Sequence, residues 1–168
     1  MVSPGEDGPS TTPEPGPRAL EIATGKAQKV AHAHPHCWVL AADTLVWLEG
    51  KFFPKPRDRD QADHFLAELT DHTHQVWTGV CLVAPGGETR AQADLALVKM
   101  AQLGPEERNS YLDTAEWVGK AGGYAIQGAA GQFAEVLEGE VETVVGLSGQ
   151  TVRTLLRQAG TCLEEFCG

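Results

Sequence analysis

The first apolar positions along the chain recur at the spacing of a helix. From Arg18 onward, small and aliphatic side chains return every three or four residues, which predicts a helix to about Ala33, with Pro35 marking its end. Residues 1–17 hold five prolines and almost no large apolar side chain. Such a segment cannot bury enough surface to offset its conformational entropy, so we expect residues 1–17 to form a disordered leader.

A short, uninterrupted apolar run follows this helix. Residues 37–42 (CWVLAA) are bounded by polar residues, which is typical of a strand buried on both faces. Asp43 and Thr44 then lie at the predicted carboxyl end of that strand. The next two apolar stretches flank Glu49 and Gly50, and this spacing predicts a tight hairpin turn.

The remaining pattern mixes strands with helices and shows no strict alternation between them. It predicts a helix capped by Asp58, antiparallel strands over residues 74–83 and 89–100, a helix from Gly104, strands over residues 133–137 and 141–145, and a helix capped by Ser148. Residues 119–128 hold too many glycines for an ordinary element, so we expect their backbone to lie close against another segment. The whole pattern predicts an α/β fold around a mixed sheet.

Length and charge narrow the class of protein. The 168 residues favour one compact domain with a single hydrophobic core, predicted over residues 18–162 and followed by a tail at 163–168. A formal net charge of -10 opposes general binding to nucleic acid or anionic lipid. We find no membrane span and no secretory signal in the sequence, so we expect a cytoplasmic protein whose four cysteines are reduced thiols.

Four polar residues are candidates for phosphate chemistry. Asp43 offers a carboxylate for a divalent ion, and Lys55 lies between two prolines that fix the direction of its amine. Lys26 lies on the helix that leads to the Asp43 strand, and Gln127 lies in the glycine-rich segment, where an amide can orient a ligand. This set suits hydrolysis of a phosphoanhydride. Each residue also has a plainer interpretation, as a turn aspartate, an exposed lysine or a turn glutamine.

The histidines point to a different chemistry, which is metal binding. His32, His34 and His36 alternate along the chain, and His72 and His74 repeat that spacing. Such alternation would place imidazoles on one face of an extended segment and allow a zinc-carrying protein. No cysteine pair or helical His-x-x-x-His motif accompanies them, so histidines on the surface or in loops are the favoured interpretation.

Five motifs in order along the chain point to a known family. They are Ala42-Asp43-Thr44, Pro54-Lys55-Pro56, residues 73–80 (THQVWTGV), residues 119–128 (GKAGGYAIQG) and Val144-Val145-Gly146-Leu147. Over about residues 20–160, the chain resembles the Maf family of nucleoside triphosphate pyrophosphatases. The sequence has no Walker loop and no GxGxxG or GxSxG motif, so kinases, dinucleotide-binding enzymes and serine hydrolases are not favoured.

The resemblance implies a fold, a reaction and a set of site residues. The fold would be an elongated α/β structure around a curved mixed sheet, with a cleft for a nucleoside triphosphate and a divalent cation, Mg²⁺ or Mn²⁺. Water would attack the α-phosphorus and pyrophosphate would leave. By the matching motifs, Asp43 would bind the metal or activate water, and Lys26 and Lys55 would hold phosphates. Gln127 would help to position the substrate, with Thr44 as a weaker candidate from the same motif as the acid.

The resemblance also implies a substrate class and an assembly. Ile126-Gln127-Gly128 and Thr73-His74 resemble the branch associated with dTTP and UTP more than the branch associated with 7-methyl-GTP. The expected substrates are therefore dTTP and UTP, or modified nucleotides. The resemblance alone suggests a homodimer.

One unit of the family's pattern has no match in the chain. Family members usually begin with a strand that leads into a Ser-x-Ser-Pro-Arg-Arg loop facing the triphosphate, whereas Ser3-Pro4-Gly5 has no arginines directly after it. Loss of one preorganised donor typically lowers a rate by about 10²- to 10³-fold. Three explanations stay open: an incomplete gene prediction, a domain completed by a partner, or a catalytically impaired relative that binds nucleotide or protein.

Overall fold

The computed structural model describes residues 12–162 and confirms an α/β fold. Its elements, in chain order, are α1 (Pro15–Ala33), β1 (Val39–Leu48), β2 (Lys51–Phe53), α2 (Arg59–Leu69), β3 (Thr73–Val83), β4 (Thr89–Met100), α3 (Pro105–Asp113), 3₁₀ turns at Ala121–Gly123 and Ala129–Gln132, β5 (Ala134–Glu138), α4 (Val141–Val145) and α5 (Gly149–Gln158). Most of the predicted leader and all of the predicted tail lie outside the described residues, so the limits of the domain stay a prediction.

The five strands form one open sheet in the order β2-β1-β3-β4-β5. β1 pairs antiparallel with β2, and β4 pairs antiparallel with β5. The sheet is antiparallel, so the predicted mixed sheet is wrong. The reason is the connection through β2 and α2, which reverses the chain before β3 adds to the far side of β1.

The hairpin between β1 and β2 confirms the predicted turn. Leu48 pairs with Lys51, which leaves Glu49 and Gly50 as the two turn residues. Their φ angles are 46° and 88°. Positive φ at both positions matches the twist of the flanking strands, and glycine adopts it without steric cost.

The chain divides into two compact units, so the prediction of a single core is wrong. Within the described residues, the first unit comprises residues 12–43, 78–94 and 146–162, and the second comprises residues 44–77 and 95–145. Three of the four boundaries fall inside β1, β3 and β4, which have 10, 11 and 12 residues, and the fourth lies between α4 and α5. Strands of that length run for about 33 to 40 Å, which is longer than one small core.

Small residues bring α1 close to the sheet in the first unit. Ala19, Ala23 and Ala27 are fully buried along one face of this helix. A Cβ atom added to Gly79 of β3 would lie 2.3 Å from the carbonyl oxygen of Ala19. Only glycine leaves room for a helix backbone this close to the strand, so the position of α1 depends on Gly79.

The last helix covers the same unit with an apolar face. Ser148 accepts a hydrogen bond from the backbone N–H of Thr151 at 3.3 Å, which confirms the predicted cap of α5. The buried face of α5 and strand β3 share one apolar cluster: Val80, Leu82, Val152, Leu155 and Leu156.

Aromatic side chains contribute much of the core of the second unit. Phe53 and Phe65 meet edge to face with their ring centroids 5.4 Å apart, and Tyr111 and Phe133 do so at 5.2 Å. Asp58 accepts a hydrogen bond from the backbone N–H three residues later, at 2.8 Å, which confirms the predicted cap of α2. The predicted elements around these rings therefore pack as one core.

Residues 141–145 form the short helix α4, so the strand predicted there is wrong. The N–H of Thr143 donates to the carbonyl of Glu140 at 3.0 Å and closes a helical turn. Val141 and Val145 are each 51% exposed, so they do not lie on a covered strand face. Their β-branched side chains favour a strand only where such a face is available.

Helix α1 begins at Pro15, three residues before its predicted start. Pro15 and Pro17 occupy its first turn, where the missing N–H groups would have no partner within the helix in any case. Prolines that indicated disorder in the sequence therefore begin a helix. Within the described part of the chain, no helix combines the length and the hydropathy that a membrane span requires.

Candidate active site

Strand β1 continues through Asp43 to Leu48, so the predicted strand end at Asp43 is wrong. The apolar residues that follow Thr44 extend the strand into the hairpin with β2. Asp43 is 8% exposed. The candidate acid is therefore a buried carboxylate in the interior of a strand.

Lys26 and Asp43 form an ion pair in the first unit. The Nζ atom of Lys26 lies 2.6 Å from the Oδ1 atom of Asp43. The two side chains are 15% and 7% exposed. Helix α1 supplies the ammonium group and strand β1 the carboxylate, so two of the residues predicted to share a site are in direct contact.

Burial makes this ion pair an expensive arrangement for the fold. Taking charges out of water costs several kcal/mol per ion in proteins, and attraction between the charges only partly offsets that cost unless the geometry is good. A buried ion pair is therefore weak evidence of a contribution to stability. A chemical use for the two charges is the better explanation for their presence.

Thr44 and Lys55 belong to the second unit. Thr44 is half-buried in β1, and Lys55 is exposed in the loop that follows β2. The carbonyl of Pro54 accepts a hydrogen bond from the N–H of Gly122 at 3.3 Å. The loop that carries the lysine is therefore attached to the glycine-rich segment.

The glycine-rich segment lies against its neighbours, as predicted. Gly122 and Gly123 have φ angles of 73° and 74°. A Cβ atom would lie 3.2 Å from Val46 if added to Gly122, and 3.6 Å from Ala62 if added to Gly123. The positive φ angles favour glycine at both positions, and the close approach adds to that preference at the first.

Gln127 is exposed in a tight turn within the second unit. The N–H of Gly128 donates to the carbonyl of Ala125 at 2.9 Å and closes the turn. The N–H of Ala125 itself donates to the hydroxyl of Tyr111 at 2.9 Å. The predicted substrate-positioning amide therefore projects from a backbone that is held in place.

His74 is fully buried, so the surface position predicted for it is wrong. Its Nε2 atom lies 2.7 Å from the hydroxyl of Tyr124. Burial lowers the pKa of His74 to about 4 and raises the pKa of Tyr124, so both side chains are neutral at pH 7. In β3, His74 alternates with buried Val76 and Thr78, and this period of two is the sequence signal that would have placed it inside.

The described residues give no ligand set for the alternative of a metal carrier. No three His, Cys, Asp or Glu side chains among residues 12–162 could hold one metal ion together. The predicted exposure is confirmed for four histidines: His32, His34, His36 and His72.

An open cavity of about 350 Å³ in the first unit is lined by several residues that include His32, His34 and Cys37. Of the described cysteines, Cys37 is exposed and Cys81 is buried, and their reduced state stays a prediction.

The structure brings the candidate residues together in two groups. Lys26 contacts Asp43 in the first unit. In the second unit, the loop of Lys55 is attached to the segment that carries Gln127. The meeting of all four side chains around one substrate stays a prediction.

The fold and these groups define a class of protein. It is an α/β protein with a buried carboxylate and ammonium in its sheet region and an exposed amide on a rigid loop, which suits a phosphorylated ligand. The model of the family described as "Maf-like protein" matches residues 2–159. The chain therefore belongs to the Maf-like family, as its motifs predicted.

Curated proteins from distant organisms are similar to the chain. A dTTP/UTP pyrophosphatase of Novosphingobium aromaticivorans is 37% identical over 155 residues, which cover 92% of this chain and 77% of that protein. One of Deinococcus radiodurans is 38% identical over 160 residues, covering 95% and 82%. One of Pyrococcus furiosus is 39% identical over 134 residues, covering 80% and 70%. The alignment with each of these proteins thus covers most of the chain.

Proposed function

We propose that this Maf-like protein hydrolyses nucleoside triphosphates to nucleoside monophosphates and pyrophosphate, and that dTTP, UTP and their modified forms are its substrates. The observation that carries the proposal is the buried pair of Lys26 and Asp43, whose charged atoms lie 2.6 Å apart. The curated relatives support the substrate class, since each is named a dTTP/UTP pyrophosphatase.

Asp43 is the group proposed to handle the proton of the attacking water. A bond forms between the water oxygen and the α-phosphorus, while the carboxylate accepts the proton that water loses. The bond between the α-phosphorus and the oxygen bridging to the β-phosphorus breaks, and its electron pair leaves with pyrophosphate. The proton then passes from the Asp43 carboxyl group to solvent.

Lys26 and Lys55 are proposed to bind phosphate oxygens. Negative charge builds up on the leaving pyrophosphate, and ammonium groups already held in place stabilise it without reorganising. Lys26 suits this role because its ammonium group is fixed against Asp43. Lys55 suits it because its loop is hydrogen-bonded to the glycine-rich segment.

Asp43 is also the residue proposed to hold a divalent cation. Its donor chemistry fits Mg²⁺ or Mn²⁺, which take oxygen ligands and are commonly bound by one or two carboxylates together with substrate phosphates. When bound, the cation supplies positive charge to the phosphate oxygens. The site thus needs no cluster of protein ligands for this purpose.

Gln127 and Thr44 are proposed to contact the rest of the nucleotide. The exposed amide of Gln127 offers both a donor and an acceptor. The edge of uracil or thymine has an N–H group between two carbonyl oxygens, so one amide can make two hydrogen bonds with it. Thr44 adds a hydroxyl group next to the acid in β1.

The test is pyrophosphate release from a panel of nucleoside triphosphates with Mg²⁺ or Mn²⁺, comparing wild type with Asp43→Asn. Asparagine keeps the shape but removes the charge and the proton acceptor, so we expect kcat to fall by about 10³-fold. Asp94→Asn is the matched control, because Asp94 is a partly buried strand carboxylate of the same unit that accepts a hydrogen bond from Thr151 at 2.5 Å. We expect its activity to stay close to that of wild type.

The possible results separate the proposal from its alternative. Equal activity of wild type and Asp43→Asn would remove Asp43 from the site. Nucleotide binding by wild type without release of pyrophosphate would favour a catalytically impaired relative.

The homodimer and the cytoplasmic location stay predictions. Sedimentation would test the homodimer, and cell fractionation would test the location.

A further inference from the structure

The turn that carries Gln127 is fastened by side chains on both sides. On one side, the N–H of Ala125 donates to the hydroxyl of Tyr111 at 2.9 Å. On the other side, the N–H of Ala129 donates to the carboxylate of Glu116 at 2.8 Å. Two side chains from outside the turn therefore fix the backbone from which the exposed amide projects.

The carboxylate of Glu116 lies directly against this backbone. A Cβ atom added to Gly128 would lie 2.1 Å from Oε2 of Glu116 and 2.7 Å from its Cδ. The φ of Gly128 is -110°, outside the left-handed region that favours glycine. The carboxylate of Glu116 leaves no room for a side chain at this position.

Tyr111 supports the same turn from the core. It is 4% exposed, and its ring packs edge to face against Phe133 at 5.2 Å. Burial raises the pKa of Tyr111 to about 12, so its hydroxyl stays protonated at neutral pH. The tyrosine end of the turn is thus anchored in the rigid interior, while Glu116 holds the other end from a partly exposed position.

We propose that Glu116 is a positioning residue for base selectivity, because its carboxylate holds the turn at the place where the Gln127 amide meets the pyrimidine edge. This inference rests on the proposed function, since it takes Gln127 to contact the base. A displacement of about 1 Å can cost on the order of 10²-fold in activity when a positioned group is involved. A loosened amide would no longer distinguish uracil from cytosine, whose edge carries an amino donor where uracil carries an acceptor.

The test compares kcat and KM for UTP and CTP in wild type and Glu116→Ala. Alanine removes the acceptor of the Ala129 N–H, so we expect KM for UTP to rise about tenfold, the effect of one lost hydrogen bond. The ratio of kcat/KM for UTP over CTP is expected to fall by a similar factor, about tenfold. We expect kcat with saturating UTP to stay within about twofold, because Asp43 is unchanged.

Two further variants separate positioning from general damage. Glu116→Gln keeps an oxygen that can accept from the N–H of Ala129, so the wild-type UTP over CTP ratio is expected to return. Glu107→Ala is the matched control, because Glu107 accepts a hydrogen bond from the N–H of Gly104 at 2.7 Å, the same kind of bond at the start of α3. Its UTP over CTP ratio is expected to equal that of wild type.

Gly128→Ala tests the same contact from the other side. Its Cβ would push the carboxylate of Glu116 away, so a similar loss of selectivity is expected. In the double variant Glu116→Ala/Gly128→Ala, the atoms that the new Cβ meets are gone. The second substitution is therefore expected to change the ratio by less than about twofold.

The results distinguish failure of this inference from failure of the proposed function. An unchanged ratio in folded Glu116→Ala, or an equal loss in Glu107→Ala, would overturn the inference alone. A wild-type protein that neither releases pyrophosphate nor prefers UTP in binding would overturn the proposed function and this inference together. Thermal melting identifies the folded variants, and if Glu116→Ala does not fold, selectivity in Gly128→Ala decides the question.

Discussion

The two units each bury a polar pair, but only one of the pairs is charged. Lys26 and Asp43 are 2.6 Å apart in the first unit, with side chains 15% and 7% exposed. His74 and Tyr124 are 2.7 Å apart in the second unit, and both are buried. The contact distances are similar, and the two pairs differ in whether they carry charge.

The neutral pair is suited to holding a fold. Burial lowers the pKa of His74 and raises that of Tyr124, so neither brings a charge into the core at pH 7. A neutral hydrogen bond contributes about 1 kcal/mol net. This bond ties strand β3 to the glycine-rich segment without burying a charge.

The charged pair differs from the neutral pair in its contribution to stability. A well-packed apolar pair of the same volume is often as stabilising as a buried ion pair, or more so. The charges of Lys26 and Asp43 therefore have a better explanation in the chemistry of a phosphorylated substrate than in stability. Under the proposed function, the buried charged pair belongs to the substrate site, and the buried neutral pair stabilises the fold around it.

Lys26→Met is expected to have the largest effect on stability, because it breaks the charged pair while preserving most of the side-chain volume. The buried carboxylate of Asp43 loses its ammonium partner, which lowers the free energy of unfolding by about 3 to 5 kcal/mol. Urea unfolding at pH 7 measures the change. The double variant Lys26→Met/Asp43→Asn removes the buried carboxylate charge as well, so a substantial recovery is expected, and equal stability of the single and double variants would contradict the argument.

Gly79→Ala is expected to act on the same pair indirectly. The new Cβ would lie 2.3 Å from the carbonyl oxygen of Ala19, and since that atom belongs to the backbone, α1 must shift. Such overpacking lowers the free energy of unfolding by about 1 to 3 kcal/mol. The matched control is Gly25→Ala, where nothing lies within 4 Å of the added Cβ and a helix interior gains up to about 1 kcal/mol. Similar melting temperatures for the two variants would show that close packing does not position α1.

The sequence predicted the elements whose signals are local. The hairpin at Glu49 and Gly50 and the helix caps at Asp58 and Ser148 depend on a few neighbouring residues, and all are confirmed. The glycine-rich segment around Gly122 was also predicted to pack closely, because it holds too many glycines for an ordinary helix or strand. The family was predicted from five short motifs, which are also local signals and which occur along the chain in the order that the family has.

The sequence did not predict features that depend on distant partners. Val141–Val145 has the composition of a strand, but no covered face receives it and a helix forms. The division into two units follows from strands longer than one core. The contact between Glu116 and Gly128 joins residues 12 positions apart, and no propensity or periodicity indicates it.

The neutral pair gives the smallest expected effect, which is a dependence of stability on pH. The pKa of His74 is about 4 in the folded protein and near 6.5 when unfolded, so the unfolded chain binds more protons between these values. The contribution of neutral His74 to the free energy of unfolding is therefore fully present above pH 6.5 and is lost as the pH falls toward 4. Between pH 7.5 and 5.5 the histidine accounts for a loss of about 1 kcal/mol in the free energy of unfolding.

His74→Gln removes this titration, so the difference between urea unfolding at pH 7.5 and at pH 5.5 is expected to shrink by about 1 kcal/mol. The measured quantity is the difference in the free energy of unfolding between the two pH values, so a general loss of stability in the variant does not affect it. His72→Gln is the matched control, since that histidine is exposed and lies two residues earlier. If both variants kept the wild-type dependence on pH, His74 would be charged within the core, and the contrast between the neutral and the charged pair would fail.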